Sequence, residues 1–420
     1  MTKPVYIVSA ARTPIGKFGG AMTEFTAASM GVMAVRAAVQ RAFGTAPAQR
    51  EPGEIGQAFS LSRDDSAGNS HFADQLIFGN ARPAGVGPNL ARQIAWRSGL
   101  GDDVPAFTVN MACGSGLRSV VLGWQQILLG ECGIVIAGGA ESMSRAPYLL
   151  DSRWGFKMGH QQLIDSMSRD GFFCPMSQMV MGETVEVLAQ HYQISRDEQE
   201  AYALRSHQRA AAALASGKFQ QEIVPVERKD KKGNVTQFVT DEHVRPDVTA
   251  QSLAKLPPAF PGVNGNGGTI TAGTASGLTD AAAALLLAGE DAVRERKLTP
   301  LARIVDATIV AIEPRYMGVA PVKAIRKLAK RTGWNLADYD AIELNEAFAA
   351  QVLACDREMP LPMDKVNPNG GAIALGHPIG CTGARILTTL LHHLRAIGGK
   401  RGLATLCVSG GLGVAMAIEM

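Results

Sequence analysis

Short runs of β-branched and apolar residues alternate along the chain with stretches whose apolar positions recur at helical spacing. Val5-Tyr-Ile-Val8, Phe107-Thr-Val-Asn110, Ile134-Val-Ile-Ala137, Leu301 to Val310, Ala341-Ile-Glu-Leu344 and Leu403 to Val408 read as strands. The strand at 134–137 ends in Gly138-Gly139, and the one at 403–408 is again followed by glycines. Leu117, Val120, Val121, Trp124, Ile127 and Leu128 fall on one face of a helix that Gly130 terminates. Leu387, Leu390, Leu391 and Leu394 mark a second helix, from about Ala384 to Ile397, with Gly398 as its stop. The alternation predicts an α/β protein with layers around buried sheets.

These two helical stretches look like copies of one unit. Cys113-Gly-Ser-Gly-Leu117 opens the first and Gly380-Cys-Thr-Gly-Ala384 the second, and each helix leads to a strand followed by glycines. A duplicated α/β unit is the predicted architecture. From about Ser142 to Gly267 the strand alternation is lost. Ser195-Arg-Asp-Glu198 is a capping box before an alanine-rich helix to about Ala215. Arg228-Lys-Asp-Lys-Lys-Gly233 predicts a solvated hairpin turn, and Pro257-Pro258 with Gly262-Val-Asn-Gly-Asn-Gly-Gly268 a flexible return to the core. This middle segment reads as an inserted excursion.

Length and composition narrow the class. At 420 residues two to three domains are expected, and 46% hydrophobic residues with 46 glycines imply a large core with tight turns. A net charge of +3 offers no electrostatic case for nucleic acid or a membrane surface. The longest apolar run, Ala281 to Ala288, is far short of a bilayer span. No targeting segment is recognised at either end, so a cytoplasmic location is expected. Six cysteines lie far apart, with no C-x-x-C and no zinc-type spacing, which reads as reduced thiols with neither disulfides nor a metal site.

Four places could carry chemistry. Cys113 stands between a strand and a helix start, where free N–H groups and the positive helix end favour thiolate. That effect is worth about 1 kcal/mol, less than about one pKa unit, so a further partner is needed; a buried structural thiol fits the same local sequence. His377 lies in the glycine-dense Asn369-Gly-Gly-Ala-Ile-Ala-Leu-Gly-His-Pro-Ile-Gly380, a loop with little side-chain core for an imidazole to fill. Cys407 ends an apolar strand and enters Val-Ser-Gly-Gly-Leu-Gly413, whose N–H groups could face an oxyanion; a core thiol is the alternative. Asn345-Glu-Ala-Phe348 follows a strand, where carboxamide and carboxylate suit holding a water or orienting a histidine, or where Asn345 caps a helix.

Taken together, Asn110-Met-Ala-Cys-Gly-Ser-Gly116, Asn345-Glu-Ala-Phe-Ala349, Gly370-Gly-Ala-Ile-Ala-Leu-Gly-His-Pro-Ile-Gly380 and Cys407-Val-Ser-Gly-Gly411 resemble, in order and placement, the catalytic loops of the thiolase family. The resemblance extends to Ser9-Ala-Ala-Arg-Thr-Pro-Ile-Gly16, Glu141-Ser-Met-Ser-Arg-Ala-Pro147, Ser195-Arg-Asp-Glu-Gln199 and Met317-Gly-Val-Ala-Pro321. It implies a five-layered α-β-α-β-α fold: residues 1–141 plus 268–298 as the N-terminal half, 142–267 as a loop domain over the coenzyme A site, and 299–420 as the C-terminal half.

It also implies roles. Cys113 would attack the thioester and hold the acyl group, and His377 would activate it and donate to the thioester oxygen beside a water held by Asn345. Cys407 would exchange a proton with the α-carbon of acetyl-coenzyme A. The N–H groups of Cys113 and Ser409 would form the second oxyanion hole. Arg245, Ser252 and Ser276 match coenzyme A-contacting positions, and Met181, Met317 and Phe348 the substrate surroundings. Coenzyme A and acyl-coenzyme A enter as substrates, with no metal or redox cofactor. A homodimer or homotetramer is expected, and a β-oxidation partner subunit is a further partner that the resemblance allows.

The chain departs from the family pattern at Ser409 and Thr274, at Val180, where some short-chain biosynthetic members carry histidine, and in the expanded run 264–268. Reversible thiolysis of 3-ketoacyl-coenzyme A in fatty-acid β-oxidation is the favoured reading. An acetoacetyl-specific acetyltransferase, a silent acyl-coenzyme A-binding scaffold and a cysteine hydrolase are the alternatives weighed.

Overall fold

The apolar run 281–288 sits at the centre of the fold. It belongs to the strand Thr279–Gly289 in a computed structural model that describes residues 3–53, 72–229, 232–265 and 267–420. Asp230 and Lys231, in the expected hairpin turn, and Asn266, in the expanded run, lie outside the described residues. Ala281, Ala283, Leu285 and Leu287 face one apolar cluster while Ala282, Ala284, Leu286 and Ala288 face another. Side chains of a strand alternate between faces, so a run apolar at every position is a strand covered on both.

Five strands form the first part of the sheet, in the order Ala106–Val109, Gln75–Gly79, Ile134–Ser142, Thr279–Gly289 and Val5–Arg12. Val5–Arg12 then meets Ala302–Ala311, followed by Leu412–Glu419, Arg401–Val408 and Ala341–Leu344. The two parts touch through only two pairings, Tyr6 with Arg303 and Ile7 with Ala302. Helices Ser115–Leu128 and Ile379–Ile397 pack on each other between the parts; Ala27–Phe43 covers the outer face of the first and Ala320–Thr332 that of the second. These are the five layers expected from the resemblance.

Two elements run longer than the sequence pattern suggested, for one reason. The strand starting at Ile134 continues through Gly138-Gly139 to Ser142, and the second central helix starts at Ile379, not near Ala384. A Cβ on Gly139 would lie 2.1 Å from the carbonyl oxygen of Gly380, and one on Gly383 would lie 2.2 Å from the backbone nitrogen of Leu117. The glycines admit close backbone approach between sheet and helix and between the two central helices.

The excursion is tied down by ionic and capping contacts. Ser195 caps helix Arg196–Ala215, accepting from the Glu198 N–H, and Glu198 accepts in return from the Ser195 N–H at 2.8 Å. Strands Val226–Lys229 and Val235–Phe238 pair antiparallel on either side of the expected turn. Arg12, fully buried in the first strand, donates to both carboxylate oxygens of Asp241 (2.7 and 2.8 Å) and to Glu222 at 2.7 Å. Among the described residues, no helix is long and apolar enough to cross a membrane.

Candidate active site

Cys113 sits at the tip of a strained turn. Ala112, just before it, adopts φ +44°, a region that alanine seldom enters and that carries about 1–3 kcal/mol of strain. Ser115 braces the turn, its hydroxyl accepting from the Met111 N–H (2.9 Å) and donating to the Ala112 carbonyl (2.7 Å). The thiol is half-buried at the start of helix Ser115–Leu128, and the N–H groups of Ser409 and of Cys113 itself face its sulfur. Burial nevertheless raises its pKa, outweighing the nearby Arg82 charge and these N–H groups. The helix end alone does not make this cysteine a thiolate, so the sequence-level leaning to thiolate is reversed by desolvation.

His377 is buried, with 6% of its surface exposed, just ahead of helix Ile379–Ile397. Its Nδ1 lies 2.6 Å from the Thr382 hydroxyl oxygen, and that hydroxyl donates to the Pro378 carbonyl at 3.1 Å. One hydroxyl proton cannot serve both, so Thr382 accepts from Nδ1–H and Nε2 keeps a free lone pair. Nε2 has no partner. Burial first, then the charges of Arg385 and Arg82, push the imidazole down to about 3, which keeps it neutral with the Nε2 lone pair free. Thr382 went unread in the sequence; its signal was a hydroxyl one helical turn beyond the histidine.

Cys407 closes the strand Arg401–Val408, paired with Gly413. Burial, with the adjacent thiols of Cys113 and Cys355, holds its proton well above the usual range. Asn345 and Glu346 diverge. Glu346 accepts from Tyr202 (2.9 Å), Ser206 (2.6 Å), Asn367 (3.0 Å) and the Ile373 N–H (3.2 Å), so it anchors the loop leading to His377 without touching the imidazole. Asn345 is buried with both amide atoms unpartnered, and the next helix is capped by Phe348, so the helix-cap alternative for Asn345 is excluded.

Cys113, His377, Cys407, Ser409, Ser276, Met181, Met317 and Phe348 line one cavity of about 340 Å³. The three chemical side chains, distant in sequence, therefore meet in one space. Val180 is on the same wall, with Met143, Phe172, Phe260, Leu278 and Ile379, an apolar set that the sequence did not single out. Three predicted residues lie elsewhere. Asn345 is not on the cavity wall; Arg245 is exposed; and Ser252 is an exposed residue of the short helix Ala250–Ala254, bonded to the Thr249 backbone. Among the described residues, no group of three or more His, Cys, Asp or Glu side chains is placed to hold a metal ion.

The comparisons agree with this fold. Residues 68–291 match the family model "Thiolase, N-terminal domain" and residues 298–420 match "Thiolase, C-terminal domain". An acetyl-CoA acetyltransferase of Chromobacterium violaceum is 45% identical over 99% of both chains. The crystal structure of human mitochondrial 3-ketoacyl-CoA thiolase in complex with CoA superposes with a TM-score of 0.88 at 40% identity, covering 100% of this chain and 98% of the other. The crystal structure of the Bacillus anthracis acetyl-CoA acetyltransferase gives 0.89 at 40% identity, covering 100% and 99%. Fold, site and relatives converge: this chain belongs to the thiolase family and is an enzyme of the thiolase type.

Proposed function

We propose that the protein cleaves 3-ketoacyl-coenzyme A with coenzyme A, and runs the reverse condensation, through an acyl group carried on Cys113. The observation that carries this reading is the convergence of Cys113, His377 and Cys407 on one apolar cavity. In thiolysis, His377 Nε2 takes the Cys113 proton as the sulfur attacks the 3-keto carbon. The bond between carbons 2 and 3 breaks, its electron pair staying on carbon 2, and Cys407 protonates that carbon to release acetyl-coenzyme A. The thiol of a second coenzyme A then displaces the acyl group from Cys113. A soft nucleophile, a neutral imidazole base and a high-pKa acid are what these steps need.

Fixed N–H groups complete the scheme. Those of Cys113 and Ser409, already facing the sulfur, suit the oxyanion of the acyl-enzyme step. The unpartnered amide of buried Asn345 supports a water between it and the thioester oxygen. Arg245 and Ser252, exposed beside the return to the core, are read as contacts for the nucleotide end of coenzyme A, which enters as a substrate.

Valine at 180 and the apolar lining support a broad range of acyl chains and a role in fatty-acid β-oxidation. Exposed Phe107 on the edge strand Ala106–Val109 supports a homo-oligomer. Thiolysis rates across 3-ketoacyl chain lengths test the substrate reading. Activity confined to acetoacetyl-coenzyme A would sink the broad range, and release of free acid without acyl transfer would sink the transferase itself.

A further inference from the structure

Burial works against ionising Cys113, and the sequence already called for a partner beyond the helix end. The charge that opposes burial most strongly comes from Arg82, outside the four catalytic loops. Arg82 follows the strand Gln75–Gly79 and is only 4% exposed. Its guanidinium lies over the Phe172 ring at 5.2 Å, and one nitrogen donates to the Ala81 carbonyl at 3.1 Å. A Cβ on Gly171 would fall 1.9 Å from its outer nitrogen, so the cation needs glycine there to be seated. Gly171 and Phe172 are cavity wall, and Phe172 packs in the same apolar cluster as Cys113. The cation thus sits behind the Gly171–Phe172 part of the cavity wall.

Among the described residues, two of its nitrogens, Nε and one terminal group, are buried without an acceptor. A guanidinium placed only for structure would have its donors paired, because orphaned buried donors are unfavourable. Among the described residues no carboxylate pairs with it at ion-pair distance, although its charge also acts on buried Glu141. The groups around Cys113 and Arg82 come from several elements: Glu141 from the strand Ile134–Ser142, His377 and Arg385 from the second central helix and the loop before it, and Cys407 from the strand Arg401–Val408. Arg169 and Asp170 pair with each other on the turn beside Gly171, and Arg97 and Arg145 share the neighbouring cavity with Arg82. Glu141 is itself pushed up to about 7 by burial, and its oxygens are occupied by Asn80 and by the N–H groups of Ala81, Arg82 and Gly380.

We propose that Arg82 is a positioning residue for acyl transfer: a buried, fixed cation that stabilises negative charge on the Cys113 sulfur. The acyl-transfer part rests on the reading above; the effect on the sulfur does not. The test is the pH dependence of Cys113 alkylation by iodoacetamide, followed by mass, in the wild type, R82L and R82K, alongside thiolysis kinetics. R82L should alkylate about tenfold more slowly at pH 7, its profile displaced upward by about one pH unit, with kcat falling by a similar factor and KM little changed. R82K should restore most of both. Gly171→Ala, which displaces the guanidinium without deleting it, should move the profile in the same direction and covers the case of an unfolded R82L. Profiles that superimpose on the wild type, or slower thiolysis with an unmoved alkylation profile, would overturn the assignment. A displaced profile in an enzyme that cleaves no 3-ketoacyl-coenzyme A would uphold the assignment and overturn the acyl-transfer reading.

Discussion

The two central helices begin alike and are used differently. Each starts with a small-residue segment at the meeting of the sheet's two parts, and each carries a reactive side chain at or just before its first turn. Cys113 is half-buried on a strained turn open to the cavity, whereas His377 is enclosed, fastened at Nδ1 by Thr382, and followed by a helix buried along its first thirteen residues. Burial raises the proton affinity of the one and lowers that of the other. The lesson is a division of labour by environment: the group that must be reached by substrate opens on the cavity, and the group that must stay neutral is sealed in.

The largest expected effect breaks the open side of this pair. Cys113→Ala should form no acyl adduct, visible by mass after incubation with acyl-coenzyme A, and should have no measurable thiolysis. Cys407→Ala should leave that adduct intact while carbon–carbon bond formation and cleavage fall by about 10²–10⁴-fold, the usual worth of a positioned acid or base. Unchanged condensation in this variant would remove Cys407 from the mechanism.

A smaller change addresses the sealed side. Thr382→Val deletes the acceptor for Nδ1–H and frees the imidazole to rotate or change tautomer. We expect kcat to fall roughly 10–100-fold, part of a full general-base contribution, with KM nearly unchanged and Thr382→Ser close to wild type. Equal losses in the valine and serine variants would mean that packing, not the hydrogen bond, matters at this position.

How far this contrast was legible in the sequence follows from what each residue depends on. Cys113, His377 and Cys407 stand in glycine-rich contexts at element boundaries, and local chain chemistry plus the family pattern was enough to pick them out. The strand–helix alternation and the Ser195 cap were readable because they are local. The glycines at 138, 139 and 383 misled, because they serve contacts with segments distant in the chain, Gly138 with Ala283, Gly139 with Gly380 and Gly383 with Leu117, which no local pattern records. Thr382, Arg82 and the apolar wall around Phe172 and Phe260 were unread for the same reason: ordinary residue types gain a role only from the neighbours that folding supplies. The sign of the shift at Cys113 was missed because helix-end polarity can be read along the chain and burial cannot.

The smallest prediction concerns stability and isolates the sealed histidine. In the unfolded chain a histidine gains a proton as pH falls through about 6.5, whereas folded His377 refuses it until about 3. The unfolded state then binds more protons, so stability must fall with pH across that window. Between pH 7.5 and 5.5 this group alone should cost about 1.4 kcal/mol of unfolding free energy. Buried carboxyls act oppositely: Glu141 and Glu343, raised by burial to about 7 and about 8, favour the folded state as pH falls. A wild-type measurement alone would mix these signs. Urea titrations of the wild type and His377→Asn at both pH values separate them, because only the histidine is removed. The wild type should lose more stability than the variant by about that amount; equal losses would show that His377 takes up its proton in the folded protein, and that its enclosure does not hold it neutral.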